Sequence, residues 1–214
     1  IGPHVVVSKC TRIGKNNKIF QFASIGEDPQ DLKYAGEETW LEIGDNNSIR
    51  ESCTIHRGTS QDKGITRLGN NNLLMAYVHV AHDCLFENDI VLSTQATIAG
   101  HVKIDNGAIV GGLVGIHQFC RIGSHCMLGG GSIILKDVPA YVMTGGNPAS
   151  AFGMNYEGMK RRGYTKEVIA SLKEAYKTVY RKNLTLDKAI EQISGLPQST
   201  ELDTFIHSIK QSTR

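Results

Sequence analysis

The sequence predicts a mainly β protein: a parallel β-helix of hexapeptide repeats over residues 1–146, then a small α-helical region over residues 147–214. Three observations predict it. An apolar residue recurs every six positions from Leu68 to Ile134. Glycine is abundant, at 23 residues of 214 against only 5 prolines, well above its usual share of about 7%. From about Asn155 the apolar spacing changes to that of helices.

The main series is Leu68, Leu74, Val80, Phe86, Leu92, Ile98, Ile104, Val110, Ile116, Ile122, Leu128 and Ile134. An earlier, frame-shifted series runs Val7, Ile13, Ile19, Ile25, then Ile43, Ile49, Ile55. A period of six fits neither a helix at 3.6 nor an alternating strand. It fits a coil in which each unit is a short strand plus a corner, three units closing an 18-residue triangle. Glycines such as Gly69, Gly111 and Gly123, each following the apolar residue or close behind it, allow tight corners. The fifth position of each unit reads Asn72, Val78, Cys84, Ile90, Ala96, Val102, Ala108, Val114, Cys120, Cys126, Ser132, Val138. These are mostly small or β-branched, as a narrow prism requires. Cys53 holds the same place in the earlier series, so four of the five cysteines read as core residues.

Two stretches break the period. Residues 27–40 (EDPQDLKYAGEETW) read as a loop thrown out of the coil, and residues 59–66 (TSQDKGIT) as a shorter excursion. Loops on a rigid repeat are common places for binding residues. The period ends near Gly146, and Asn147-Pro148 is a breaker. Thr165 can cap a helix over 166–181, Thr185 a second through Ile193, and Thr200 a third through about Ile209.

Composition excludes several classes. With 23 Lys+Arg against 21 Asp+Glu, the chain is not built to coat nucleic acid. Its longest apolar run, from Ala108 to Ile116, is far short of the roughly 20 residues a spanning helix needs. Residues 1–150 carry a balance of −2 and residues 151–214 a balance of +4, so the tail is a mildly basic module. An odd cysteine count with no C-x-x-C suits a reducing, cytoplasmic location.

Five of the eight histidines, His79, His82, His101, His117 and His125, fall within 47 residues. One coil above His82 is Gly100, beside His101. Two coils above is Gln118, beside His117. The coil therefore puts His82, His101 and His117 within one residue of a single corner line, with Asp83 next to His82. Histidine is the natural base near neutral pH, and an adjacent carboxylate orients its ring. Gly100 leaves room above His82 and turns a backbone N–H to it, which suits a developing oxyanion. That combination is what acyl transfer needs. The rival use of the histidines is a metal site: His79-x-x-His82 has workable spacing, but no carboxylate or cysteine set completes a site within one chain, and no metal is expected. In the tail, Lys160-Arg161-Arg162 can bind phosphates or simply form a solvated charge run.

At these residues the chain resembles the UDP-N-acetylglucosamine 3-O-acyltransferases of lipid A biosynthesis. The matching stretches are QFASIGEDPQDLKYAG (21–36), ESCTIHRGT (51–59), HVAHDC (79–84), IAGHV (98–102), IHQFCRIG (116–123), GNPA (146–149) and NYEGMKRRG (155–163). The resemblance implies a left-handed coil, further coils before the matched start, and a homotrimer with active clefts between subunits. It implies transfer of an R-3-hydroxyacyl group from the phosphopantetheine of acyl carrier protein to the glucosamine 3-hydroxyl, with no cofactor bound by the chain. The family's base falls on His82, with Asp83 as its partner, and the oxyanion donor on the N–H of Gly100. Sugar contacts of the projecting loop fall on Asp31 and Lys33. Cleft contacts fall on His79, His101, His117 and Gln118, and contacts to nucleotide and donor phosphates on Asn155, Glu157, Arg161 and Arg162. Gly130 falls where the family limits acyl length, and a glycine there implies a longer chain. Two enzymes share the coil and stand as alternatives: the UDP-3-O-acylglucosamine N-acyltransferase of the same pathway, and a trimeric metalloenzyme of carbonic anhydrase type. A non-catalytic scaffold would need no histidines at that corner.

Overall fold

The computed structural model describes residues 1–213. Its strands form three parallel faces of a left-handed β-helix, and each strand pairs with those one coil before and one coil after it. The first face carries Val6–Val7, Ser24–Glu27, Thr54–His56, His79–Val80, Thr97–Ile98, Gly115–Ile116 and Ile133–Ile134. The second runs from Thr11–Ile13 to Arg121–Ile122, and the third from Lys18–Ile19 to Met127–Leu128, extended by a hairpin of Val142–Gly146 and Ala149–Met154. In the uninterrupted part the register steps by 18 residues, as in His79↔Thr97 and Thr97↔Gly115.

All twelve apolar residues of the main series are buried, and so are the fifth-position residues from Asn72 to Val138. Each aliphatic side chain so buried contributes roughly 1.5–3 kcal/mol. Cys53, Cys84, Cys120 and Cys126 lie in this core, as the spacing predicts, and Cys10 is half-buried. Burial pushes the Cys53 thiol up to about 11. The corners turn on residues with left-handed backbone, among them Asp83 (φ 58), His101 (φ 63) and Phe119 (φ 67). Short polar residues tolerate this region best, and asparagine and aspartate recur at these corners.

Asn72 looks out of place among small apolar residues, but an amide ladder accounts for it. The Asn47 N–H donates to Asn17 Oδ1 at 2.9 Å and the Asn72 N–H to Asn47 Oδ1 at 2.9 Å. Ile90 N–H then donates to Asn72 Oδ1 at 2.8 Å, while Asn72 Nδ2 donates to Glu87 O at 3.0 Å. The side chains supply partners that a tightly wound corner denies its backbone. Asn72→Ala would orphan the Ile90 donor and the Glu87 acceptor, so it is expected to cost about 2–4 kcal/mol in chemical denaturation. A loss below about 1 kcal/mol would show that water replaces the amide.

Both breaks in the period leave the coil at the same corner, between the first and second faces, on successive coils. After the hairpin come four helices: α1 (Tyr156–Arg161), α2 (Lys166–Arg181), α3 (Leu186–Ser194) and α4 (Thr200–Lys210). Thr165 caps α2 through its hydroxyl, as the sequence suggests. Thr185 stands at the N-cap of α3 without a side-chain bond, and Ser199, one residue earlier than expected, caps α4. The hairpin and α1 carry no periodic signal in the sequence. The hairpin turns at the Asn147-Pro148 breaker, and α1 is a single short turn system capped by Asn155.

Candidate active site

A cavity of about 850 Å³ opens at the corner from which both loops project. The coil contributes His82, His101, Gln118 and Phe119, the first loop Gln30, Asp31, Leu32 and Lys33, and the second loop Gln61 and Asp62. Consecutive coils stack the side chains. The His82 and His101 rings meet edge to face at 5.1 Å, and His101 stacks on Phe119 at 4.4 Å.

His82 Nδ1 lies 2.9 Å from Asp83 Oδ2. A carboxylate only accepts, so Nδ1 carries the proton and donates, leaving the Nε2 lone pair free. Nε2 stands 4.0 Å from Asp31 Oδ2 on the first loop. Asp83 is almost fully enclosed, with its side chain 1% exposed. Burial alone would raise its carboxyl, but hydrogen bonds from His82 and from the Thr59 hydroxyl and amide outweigh this and hold it below its usual value. The Thr59 N–H donates to Oδ1 at 2.9 Å and its hydroxyl to Oδ2 at 2.6 Å. Gly100 lies directly above His82. A Cβ built there would come within 2.7 Å of His82 Cε1, so the residue must be glycine for the ring to keep its place. Among the described residues the Gly100 N–H has no acceptor, whereas its neighbour His101 donates to His82 O at 3.0 Å.

The first loop is tied down by a residue the sequence did not single out. Arg57 is buried, and its Nη1 donates to Gly26 O at 2.6 Å. Its Nη2 donates to Asp28 and, at 3.0 Å, to Tyr34 Oη. The root of the loop is thereby clamped to the coil, and Asp31 is held toward His82. Arg57 stood within a matching stretch, but nothing in the period marks a charged residue as buried.

The other expected site residues divide into three groups. His79 lies beside the cavity rather than in it. Its Nδ1 is 2.7 Å from Thr54 Oγ1, and its ring meets the buried His56 edge to face at 5.1 Å. His117 is exposed, one residue to the strand side of Gln118, and on that coil Gln118 and Phe119 face the cavity. The single corner line therefore runs His82, His101, Phe119. Asn155, Glu157, Arg161 and Arg162 stand at a different corner of the same chain, between the second and third faces. Asn155 is buried, with its Nδ2 donating to His125 O at 3.1 Å and its Oδ1 capping α1 through the Gly158 N–H. Arg162 donates to Gly107 O at 3.1 Å and to Gly158 O at 3.2 Å. Glu157 accepts from Lys160 Nζ at 2.7 Å, and Arg161 is exposed. Gly130 lies exposed near the third corner, where a Cβ would meet only the Gly112 backbone, its O at 3.4 Å and its N at 3.9 Å.

One expectation is corrected. The sequence offers no carboxylate to complete a metal site within one chain, but folding brings ligand atoms of His82, Asp83 and His101 within 4.8 Å of one another. The donors are nonetheless spent differently: Thr59 and His82 occupy both Asp83 oxygens. This is the environment of an oriented imidazole base.

Burial, then the charge of His79, hold the His56 imidazole down from its ordinary 6.5 to about 4. Such a histidine is neutral when folded and charges first in the unfolded chain. Between pH 6.5 and 4 stability falls as pH falls, by up to about 3 kcal/mol from this group. His56→Gln is expected to flatten that slope in thermal melts across this window. An unchanged slope would assign the acid sensitivity to other groups.

A left-handed hexapeptide coil with a histidine–aspartate pair packed beneath a glycine at one corner is the build of a β-helix acyltransferase. A family profile described as "Udp N-acetylglucosamine O-acyltransferase; Domain 2" matches residues 137–214. LpxA from Acinetobacter baumannii superposes with a TM-score of 0.96 at 56% identity, covering 99% of this chain and 83% of that one. The chain belongs to the UDP-N-acetylglucosamine O-acyltransferase family. The UDP-N-acetylglucosamine O-acyltransferase of Moraxella catarrhalis gives 0.93 at 52% identity, covering 100% and 86%. LpxA of Bacteroides fragilis, a UDP-N-acetylglucosamine acyltransferase, gives 0.95 at 43%, covering 99% and 83%.

Proposed function

We propose that the protein transfers an R-3-hydroxyacyl group from the thioester of acyl carrier protein to the glucosamine 3-hydroxyl of UDP-N-acetylglucosamine, the first step of lipid A biosynthesis. The observation that carries the reading is His82: its Nδ1–H is given to an enclosed carboxylate and its Nε2 lone pair opens into the cavity. Nε2 takes the proton of the sugar hydroxyl as that oxygen attacks the thioester carbonyl. The Gly100 N–H faces the oxyanion that develops. Collapse of the tetrahedral intermediate expels the pantetheine thiolate, which recovers the proton from His82. Asp83 holds the ring and stabilises its charged form. Asp31, Lys33, His101 and Gln118 bind the acceptor and the pantetheine arm, with His79 in support of the cleft.

The assembly in this reading is a homotrimer with clefts between subunits. Two features support it. The expected site residues occupy all three corners of one chain, which a threefold arrangement can bring together. Phe22, Tyr77 and Leu113 also stand 60–64% exposed on alternate coils of the third corner, suited to a second copy. His117, Asn155, Glu157, Arg161 and Arg162 then complete a neighbour's cleft. The tail, with its balance of +4, suits the acidic carrier protein. The donor's phosphopantetheine arrives on that carrier, so the chain needs no cofactor of its own. Free cysteines fit a cytoplasmic location, and among the described residues no helix is long and apolar enough to cross a membrane.

The test is acyl transfer to UDP-N-acetylglucosamine by purified protein, with 3-hydroxyacyl carrier donors of several chain lengths in competition. The expected result is transfer, favouring the longer donors because Gly130 leaves the groove open. Preference for the shortest donor would remove Gly130 from the length choice. Transfer only to the amine of a 3-O-acylated glucosamine would move the protein to the N-acyltransferase reading.

A further inference from the structure

The second loop does more than interrupt the coil. Its turn is closed by the Asp62 N–H donating to Thr59 O at 3.3 Å and the Gly64 N–H donating to the same oxygen at 3.0 Å. From this turn Thr59 reaches Asp83, as described above. Three residues later Asp62 reaches His101: Asp62 Oδ2 lies 3.0 Å from His101 Nδ1. The other face of the turn is tied to the first loop, where the Ser60 hydroxyl donates to Glu37 Oε1 at 2.9 Å. One short turn therefore touches the carboxylate behind one corner histidine and supplies the carboxylate for the next.

We propose that Asp62 is a positioning residue for His101, fixing it as the tautomer with the proton on Nδ1 and its Nε2 lone pair turned toward the His82–Asp83 pair and the cavity. The geometry supports this from three sides. Asp62 offers only acceptors, so the Nδ1 contact requires a proton on the ring nitrogen. The ring lies flat against Phe119 at 4.4 Å and edge-on to His82 at 5.1 Å, so its plane is fixed and the Asp62 contact decides which nitrogen faces the loop. His101 Nε2 then stands 4.0 Å from Asp83 Oδ2, too far for a direct hydrogen bond and on the cavity side of the dyad. An acceptor lone pair there receives a hydroxyl or amide proton of the bound substrate. The opposite tautomer would present a donor instead and repel the same group. The coil thus carries two imidazole–carboxylate pairs one turn apart: His82 draws its partner from its own corner, and His101 draws its partner from the loop.

This inference rests on the acyltransferase reading only for its effect on rate. The tautomer itself is read independently, by ¹⁵N NMR of histidine-labelled protein at pH 8, with His101 assigned by His101→Gln. Wild type should show a protonated Nδ1 at His101. Asp62→Ala, which removes the acceptor, should release the proton to Nε2 and lower kcat/KM by about tenfold or more. Asp62→Glu keeps a carboxylate and should keep the tautomer and most of the rate. An Nδ1 proton that survives in Asp62→Ala, or a kcat/KM within about twofold of wild type, would overturn the proposal. Loss of rate in both variants with the tautomer unchanged would also overturn it, since the loop would then act through its own substrate contacts. Wild type that shows the stated tautomer but transfers no acyl group would sink the transferase reading and leave the placement of His101 standing.

Discussion

His82→Ala is expected to slow acyl transfer by about 10²–10⁴, the range for removing a positioned general base. The protein should stay folded. His82 points into the cavity rather than the prism, and Asp83 keeps its bonds to Thr59 when the ring is gone. The effect belongs in kcat more than in KM, because the proton moves only as the sugar oxygen attacks. A variant that keeps its rate would transfer the role of base to His101. Equal collapse of rate and melting temperature would mean that the ring is structural.

Gly100→Ala is the second large effect, and it isolates room from chemistry. The glycine does not use left-handed backbone, so alanine can adopt its conformation, and the N–H is retained. The added methyl, however, would sit 2.7 Å from His82 Cε1 and 2.9 Å from Nε2. The ring must swing aside and give up its 2.9 Å bond to Asp83, which fixes both tautomer and direction. A loss of about 10² or more in kcat is expected, with little change in thermal midpoint. Were the rate within about threefold of wild type, the ring would have to be mobile enough to accommodate the methyl. The oriented-base argument would then fail at its geometric root.

The coil was legible because every turn presents the same environment. A side chain entering a triangular prism meets the same narrow space at Val78, Ala96 and Val114, so the period is written repeatedly and survives local exceptions such as Asn72. The loops were legible only as places where the period stops. What they hold is a set of single contacts, Arg57 to Asp28 and Tyr34 or Thr59 to Asp83, and no repetition announces them. At the corner itself the limit was one residue. Counting by eighteen brought His117 to the line, but adjacent corner residues point in different directions, and it is Phe119 that stacks on His101. The tail shows a different limit. Asn155 and Arg162 match a sequence motif, yet within one chain their side chains bond to the corner of Gly107 and His125. A motif says nothing about which copy of the chain its residues serve.

The stacking of the coils has a consequence for where motion can enter. Each turn bonds only to the turn above and the turn below, so order passes along the axis as it does in a pile of plates, from neighbour to neighbour. On the first face the strands at His79 and Thr97 are the fourth and fifth of seven. His82 and the glycine above it therefore have stacked turns on both sides, which hold them in place. Their stillness is borrowed from turns that never touch a substrate. The loops that enclose the cavity leave the same corner two turns and one turn before His82, so the parts that must yield to a ligand are hinged on the turns stacked directly beside it.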